Sequence, residues 1–228
     1  MIISDSARFV FIHNPKVGGM TFRTALAPYD TRDDKFFEWQ RVPDSKVQID
    51  MAQIDMAHIT LFQLQLLFPK VLDEVATYFK FGFVRDPYTR FLSAVAQHLK
   101  LGTAYTSTAI FREPDLFYRI ANNFALTVLR DTAIEADFKL AHFRRQSNFF
   151  YLGGARWADL ILKLEDPAAL AANRAAAWLV PGSDVMTPRN LTRFSDQGYD
   201  VAAQPQPAIA AVTRFYERDF ERFGYPTR

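Results

Sequence analysis

The sequence predicts an α/β fold: one three-layer αβα domain over residues 1–228, built on a central parallel sheet with helices on both faces. Three observations carry this reading. Arg8–Ile12 (RFVFI), Lys80–Val84 (KFGFV) and Leu160–Leu164 (LILKL) are short apolar runs of strand length, led by aromatic and β-branched residues. Between them lie stretches with apolar residues at helical spacing, the clearest being Phe91, Leu92, Val95, Ala96 and Leu99. No linker rich in proline, glycine or serine divides the chain.

The first run is broken by Asn14 and Pro15, after which Gly18 and Gly19 make a tight loop and Thr21–Leu26 opens a helix. Strand, glycine loop and helix together aim backbone N–H groups and a helix N-terminus at an anion. Lys16 adds a full positive charge inside that loop. A tight turn with a solvated lysine is the plainer alternative. Pro28–Ser45 is polar and turn-rich, with Asp30, Asp33 and Asp34, and reads as a loop. The pentapeptide QIDMA occurs twice in succession, at 48–52 and 53–57, far below any solenoid period, and carries no assigned role. His58 follows it. Thr60–Phe68 and Val71–Phe79 are apolar at helical spacing, with Pro69 as a break between them.

Lys80–Val84 leads directly into Arg85-Asp86-Pro87. Asp86 suits an N-cap and Pro87 the first helical position, so a helix starts here. Gly102–Arg112, with clustered Thr and Ser, reads as a loop. Asp115–Arg130 and the more basic Glu135–Arg145 read as helices. Gln146–Asn148 and Gly153-Gly154 are breaks, and Glu165 closes the LILKL strand. Pro167–Leu179 reads as an alanine-rich helix, Val180–Gln206 as irregular, and Pro207–Phe223 as a final amphipathic helix with Ile209, Val212, Tyr216, Phe220 and Phe223 buried.

Composition narrows the function. The 228 residues suffice for a sizeable core, and 22 phenylalanines predict an aromatic one. A formal net charge of +2 gives no general polyanion surface, and nucleic acid is not an expected partner. A local basic site remains open, with Lys16, Arg85 and Arg90 as its cations. The absence of cysteine excludes disulfides, thiolate metal sites and cysteine nucleophiles, and fits a reducing compartment. No stretch reaches membrane-spanning length and no signal peptide is legible, so a cytoplasmic location is expected. There is neither an HExxH motif nor an acidic metal cluster, and no metal is expected.

The glycine loop is not a Walker A motif, because Lys16 precedes both glycines. PKVGGMT instead resembles the 5′-phosphosulfate loop of sulfotransferases that use 3′-phosphoadenosine-5′-phosphosulfate (PAPS). VRDPYTRFLSAV resembles the 3′-phosphate site of the same enzymes, where an arginine and a serine eight positions later grip that phosphate. HFRRQSNFFYL, LILKLEDPAAL and VTRFYERDFERFGY resemble later segments of the family, so the similarity spans Phe9 to Tyr225. The group it resembles is the carbohydrate-type sulfotransferases (sulfotransferase family 2), which includes heparan sulfate 2-O- and HNK-1-type enzymes and many bacterial proteins. Animal Golgi members are membrane-anchored and usually carry cysteines, so this chain looks more like a soluble bacterial relative.

The resemblance implies a P-loop NTPase-like fold. It also implies transfer of a sulfuryl group from PAPS to a hydroxyl acceptor, a glycan by family expectation, leaving 3′-phosphoadenosine-5′-phosphate (PAP). The cofactor would be held by Lys16, Val17, Gly18, Gly19, Met20 and Thr21 at its 5′ end, and by Arg85 and Ser93 at its 3′-phosphate. Lys16 would stabilise charge on the leaving phosphate oxygen. His58 is the candidate general base, because a histidine in a comparable place often serves so in the family and a neutral imidazole accepts protons near pH 7. A packed or surface histidine is the alternative. His13 is expected to pack or bond locally, His98 to be structural, and His142 to lie on a basic helix. Glu38 and the aspartates of the Asp30–Asp34 loop are the next candidates for the base. Two features depart from the pattern: Met20 stands where many relatives have a hydroxyl residue, and Asp86 where they often have asparagine, which brings a carboxylate near the 3′-phosphate. Two other functions remain open: a non-catalytic PAP- or PAPS-binding module, and a P-loop-type phosphoryl transferase, for which the Walker lysine is missing. The sequence sets no oligomeric state.

Overall fold

All three apolar runs are strands of one sheet in the computed structural model, which describes residues 1–30, 32, 55–102, 113–166 and 200–228. The strands are β1 (Ile2–Ser4), β2 (Phe9–Ile12), β3 (Phe79–Val84) and β6 (Leu160–Lys163), in the order β1-β2-β3-β6. β2, β3 and β6 run parallel, with Phe11 opposite Phe81 and Phe83 opposite Leu162. β1 adds an antiparallel edge strand to the expected parallel sheet, pairing with β2, Ile3 opposite Val10. A separate two-stranded hairpin joins β4 (Tyr151–Leu152) to β5 (Ala155–Arg156). Gly153 and Gly154 have φ of 56° and 85°, the two successive left-handed residues that a tight hairpin turn requires.

The described residues form two compact units, 1–84 with 146–166 and 85–145 with 200–228. The first is a mixed α/β unit with helices flanking a mostly parallel sheet, the three-layer αβα arrangement. All four residues of β2 are buried, as in strands covered on both faces. On one face Phe9, Phe11, Phe81, Phe83 and Leu162 pack with Val17, Phe22 and Leu26 of the loop and helix α1 (Gly19–Leu26). The Phe22 and Phe83 rings stack at 3.9 Å, so the expected aromatic core is present. The other face carries Gly82, where a Cβ would lie 2.7 Å from the Phe150 ring and 2.8 Å from the Ile12 carbonyl oxygen. Phe150 belongs to a helical turn (Ser147–Phe150) that packs with helix α2 (Leu61–Leu67). Thr60 and Gln63 start α2 with a reciprocal capping box. Pro69 ends the α2 run and opens α3 (Pro69–Glu74), which stops five residues before the expected Phe79, because Phe79 is already in β3.

The second unit is helical. Asp86 Oδ1 accepts the Thr89 amide at 2.9 Å, and Pro87 is the first residue of α4 (Pro87–Gly102), as its sequence predicts. Tyr88, Phe91 and Val95 of α4 pack with Phe117, Ile134, Phe143, Val212 and Phe220. His98 packs edge-on to Phe124 and Phe143, a structural role. Two expected helices are interrupted. The helix Asp131–Ala136 stops at Asp137, whose carboxylate accepts the Lys139 amide at 2.8 Å and caps a 3-10 segment, Phe138–Phe143. The closing helix breaks at Tyr216 into Gln206–Phe215 and Glu217–Phe223, with the buried Tyr216 hydroxyl donating to the Phe143 carbonyl at 2.7 Å. No helix among the described residues is long and apolar enough to cross a membrane. Pro167–Leu179, the Gly102–Arg112 loop beyond Gly102, and Glu38, Asp33 and Asp34 lie outside the described residues.

Candidate functional site

In parallel α/β sheets, ligands approach the carboxyl ends of the strands. The β2 end continues into His13, Asn14 and Pro15, all buried. Asn14 is tied down by two bonds from its amide, to the Phe83 carbonyl and to Gln146 Oε1, each 2.9 Å. Val17 is fully buried in the aromatic core, so it can offer a ligand only its backbone. Between these two anchors the backbone of Lys16 turns left-handed, at φ 67°. For an L-residue that conformation costs about 1–2 kcal/mol, and such strain concentrates at functional loops. Gly18 follows at φ 78°; a Cβ there would meet only Leu164 at an ordinary 3.5 Å, so conformation, not space, calls for glycine.

Gly18 is also the N-cap of α1, and as glycine it has no side chain to cap that end. The first amides of α1, from Gly19, Met20 and Thr21, therefore receive no bond from the N-cap side chain. No acidic residue stands in the first turn. The expected strand, glycine loop and helix are all present, and the structure adds the left-handed Lys16 and the glycine N-cap, a combination suited to an anion.

The same unit holds His58, in a short turn, Met56–His58, capped by Asp55. Asp55 Oδ1 accepts the Ala57 amide at 3.1 Å, and Oδ2 accepts from His58 Nδ1 at 2.5 Å. His13 Nδ1 donates to the Ala57 carbonyl at 3.0 Å, and its ring lies 4.8 Å from that of His58 at 30°. His13 does bond locally, as expected, but to the turn that carries the candidate base. The His58 side chain keeps 13% of its surface exposed, enough to meet a ligand, while Asp55 keeps 7%. Sequence reading passed over Asp55, though its signal was present: an aspartate three residues before a histidine, inside the second QIDMA. No group of three or more His, Asp or Glu among the described residues is arranged to hold a metal.

In the second unit Arg85 precedes α4 and donates through Nε to Thr89 Oγ1 at 3.1 Å. Thr89 also donates to the Asp86 carbonyl. Ser93 is half-buried one turn further along. Residues four apart share a helix face at about 5–6 Å, so Thr89 carries the Arg85 guanidinium toward the Ser93 side of α4. Thr89 completes a polar stripe of which sequence reading saw only the two ends. Arg90 corrects the expected set of site cations. It is fully buried, with its guanidinium carbon 5.9 Å from the Tyr216 ring centre. Burial pulls its pKa down, and Tyr216 and Asp219 counteract that, so Arg90 is a core residue and not a ligand for an external anion.

Fold and site together define an α/β protein with a glycine loop at a strand end and a carboxylate-supported histidine in the same unit. A model of the sulfotransferase family matches residues 1–226, and the chain belongs to that family, sulfotransferase family 2. It is a sulfotransferase enzyme. No curated protein and no solved structure matches the chain at a significant level.

Proposed function

We propose that this sulfotransferase takes its sulfuryl group from PAPS and delivers it to a hydroxyl acceptor, a glycan. The observation that carries the reading is the Lys16 loop: a lysine held left-handed beside a helix N-terminus whose N-cap is glycine and whose first turn holds no acidic residue. The residues fit the donor, because its two ends are anionic and the chain offers one cationic, amide-rich loop and one Arg–Thr–Ser stripe. Bound PAPS supplies an activated sulfuryl group attached to a good phosphate leaving group.

Lys16, with the amides of Gly18 to Thr21, stabilises the charge that builds on the leaving oxygen; this interaction is strongest in the transition state. Arg85 and Ser93 take the 3′-phosphate, Arg85 through the two-pronged geometry its guanidinium allows. Val17 contributes backbone alone. His58 takes the proton of the acceptor hydroxyl. The family match runs through both units, which supports one working sulfotransferase domain over residues 1–228.

The test is transfer of radiolabelled sulfate from PAPS across a panel of glycans, lipids and phenols, with wild type and His58→Ala side by side. The expected result is labelled glycan with wild type, and a loss of about 10²–10⁴ in turnover for His58→Ala with PAP binding nearly unchanged. Labelling of phenols alone would overturn the acceptor class. Turnover within a fewfold in His58→Ala would overturn the base.

A further inference from the structure

We infer that Asp55 is a positioning residue of the sulfuryl transfer: with His13 alongside, it holds His58 in the one tautomer whose Nε2 can take the acceptor's proton. This rests on His58 being the base. The four-residue segment Asp55–His58 makes three connections at once. Oδ1 of Asp55 caps the turn through the Ala57 amide, Oδ2 engages His58 Nδ1, and the Ala57 carbonyl engages His13 Nδ1. A carbonyl and a carboxylate only accept, so both imidazoles must carry their proton on Nδ1. In the neutral ring the acceptor is then Nε2 in both.

A capping role for Asp55 would need one oxygen. The second oxygen engages a ring, in a carboxylate with little exposed surface, and that is the arrangement by which a carboxylate orients a catalytic imidazole. His13 restricts the ring from its face. It is itself buried to 8% exposure, and its centroid lies 4.8 Å from that of His58, so His58 cannot turn over without displacing it. Among the described residues, the titratable groups that bear on the pair include Asp55, His13 and the Met1 amino group, which interacts with Asp55 and which burial pushes down to about 5.

The step balances as follows. The acceptor oxygen bonds to sulfur as its proton passes to His58 Nε2. The bond from sulfur to the bridging phosphate oxygen breaks, and its electron pair leaves on the 5′-phosphate. His58 becomes an imidazolium that keeps its Nδ1 proton, and the Asp55 carboxylate stabilises that charge in place.

The test uses the full chain labelled with ¹⁵N-histidine. NMR of the wild type should show both His58 and His13 protonated at Nδ1 in their neutral forms; an Nε2–H tautomer at His58 overturns the inference without any variant. Asp55→Asn keeps an oxygen for the cap but turns an NH₂ group toward His58 Nδ1. It should favour the other tautomer and lower turnover by about 10²–10⁴, read as PAP release from PAPS with desulfated heparan sulfate as the probe acceptor. Calorimetric PAP affinity should stay within twofold. If Asp55→Asn retains turnover within threefold while His58→Ala loses it, the inference fails and the base stands. If His58→Ala also retains turnover, the base falls and the inference with it.

Discussion

Replacing Lys16 by alanine and, separately, by glycine separates the two things that residue does. In the proposed reaction its charge serves the leaving phosphate; its left-handed backbone, at φ 67°, shapes the loop. Alanine removes the charge and keeps the strain. Glycine removes both, because without a Cβ the left-handed region is open to it. The strain relieved is about 1–2 kcal/mol. Glycine's greater freedom in the unfolded chain offsets part of this, by about 0.5–1 kcal/mol. The net expectation is that Lys16→Gly is more stable than Lys16→Ala by about 1 kcal/mol, which for a chain of this size is a Tm higher by about 2–4 °C. Both variants should lose turnover by the same factor, about 10²–10³, with little change in the affinity for PAPS. Calorimetric melting and steady-state kinetics on the two proteins decide the matter. Equal Tm values would refute the strained loop. A loss confined to the Michaelis constant for PAPS would make Lys16 a binding group and no part of the chemistry.

Arg85→Ala should cost about 2–4 kcal/mol of PAP binding by calorimetry and leave the weaker binding of ATP almost unchanged, since ATP lacks a 3′-phosphate; equal affinity of the wild type for ATP and PAP would sink that assignment. Arg90→Ala should do the reverse. It removes a large, fully buried side chain packed beside the Tyr216 ring and should destabilise the protein by about 2–5 kcal/mol in urea unfolding, while any PAP binding by the folded fraction keeps its affinity. Gly82→Ala places a methyl 2.7 Å from Phe150 and 2.8 Å from a backbone oxygen that cannot rotate away, so a loss of about 1–3 kcal/mol is expected from the same unfolding curves; an unchanged midpoint would mean that the sheet and the Ser147–Phe150 turn do not meet there.

The three core strands were legible because Phe, Val, Ile and Leu dominate them and Asn14-Pro15, Asp86-Pro87 and Glu165 punctuate their ends. β1 was not, since three residues cannot display an alternating period. The hairpin at Tyr151–Arg156 escaped for the same reason, although its glycine pair was read as a break. The Glu135–Arg145 helix failed because Asp137 prefers to bond the backbone two residues on. Within the site, the loop was legible from glycine spacing and the α4 start from Asp86-Pro87. Arg90 was misread by its charge alone; its register, three residues after Pro87 and four before Ala94, put it on the buried side of α4. Asp55 and Thr89 are tertiary findings. A carboxylate three residues before a histidine is common, and only the folded turn makes that spacing a hydrogen bond. Thr89 is one hydroxyl among many until Arg85 folds back onto it.

Val17 has a consequence for anyone wishing to make this enzyme more robust. The side chain next to Lys16, the proposed catalytic lysine, is a fully buried member of the aromatic core, together with Phe11, Phe22 and Phe83. Hardening that core by directed evolution or redesign therefore also moves the lysine. Variants selected for heat resistance at these positions should trade away turnover, and variants selected for turnover should tolerate few changes there. The practical place to look for stabilising substitutions is the second unit, at solvent-facing positions such as Leu126, where a polar replacement disturbs neither the loop nor its footing.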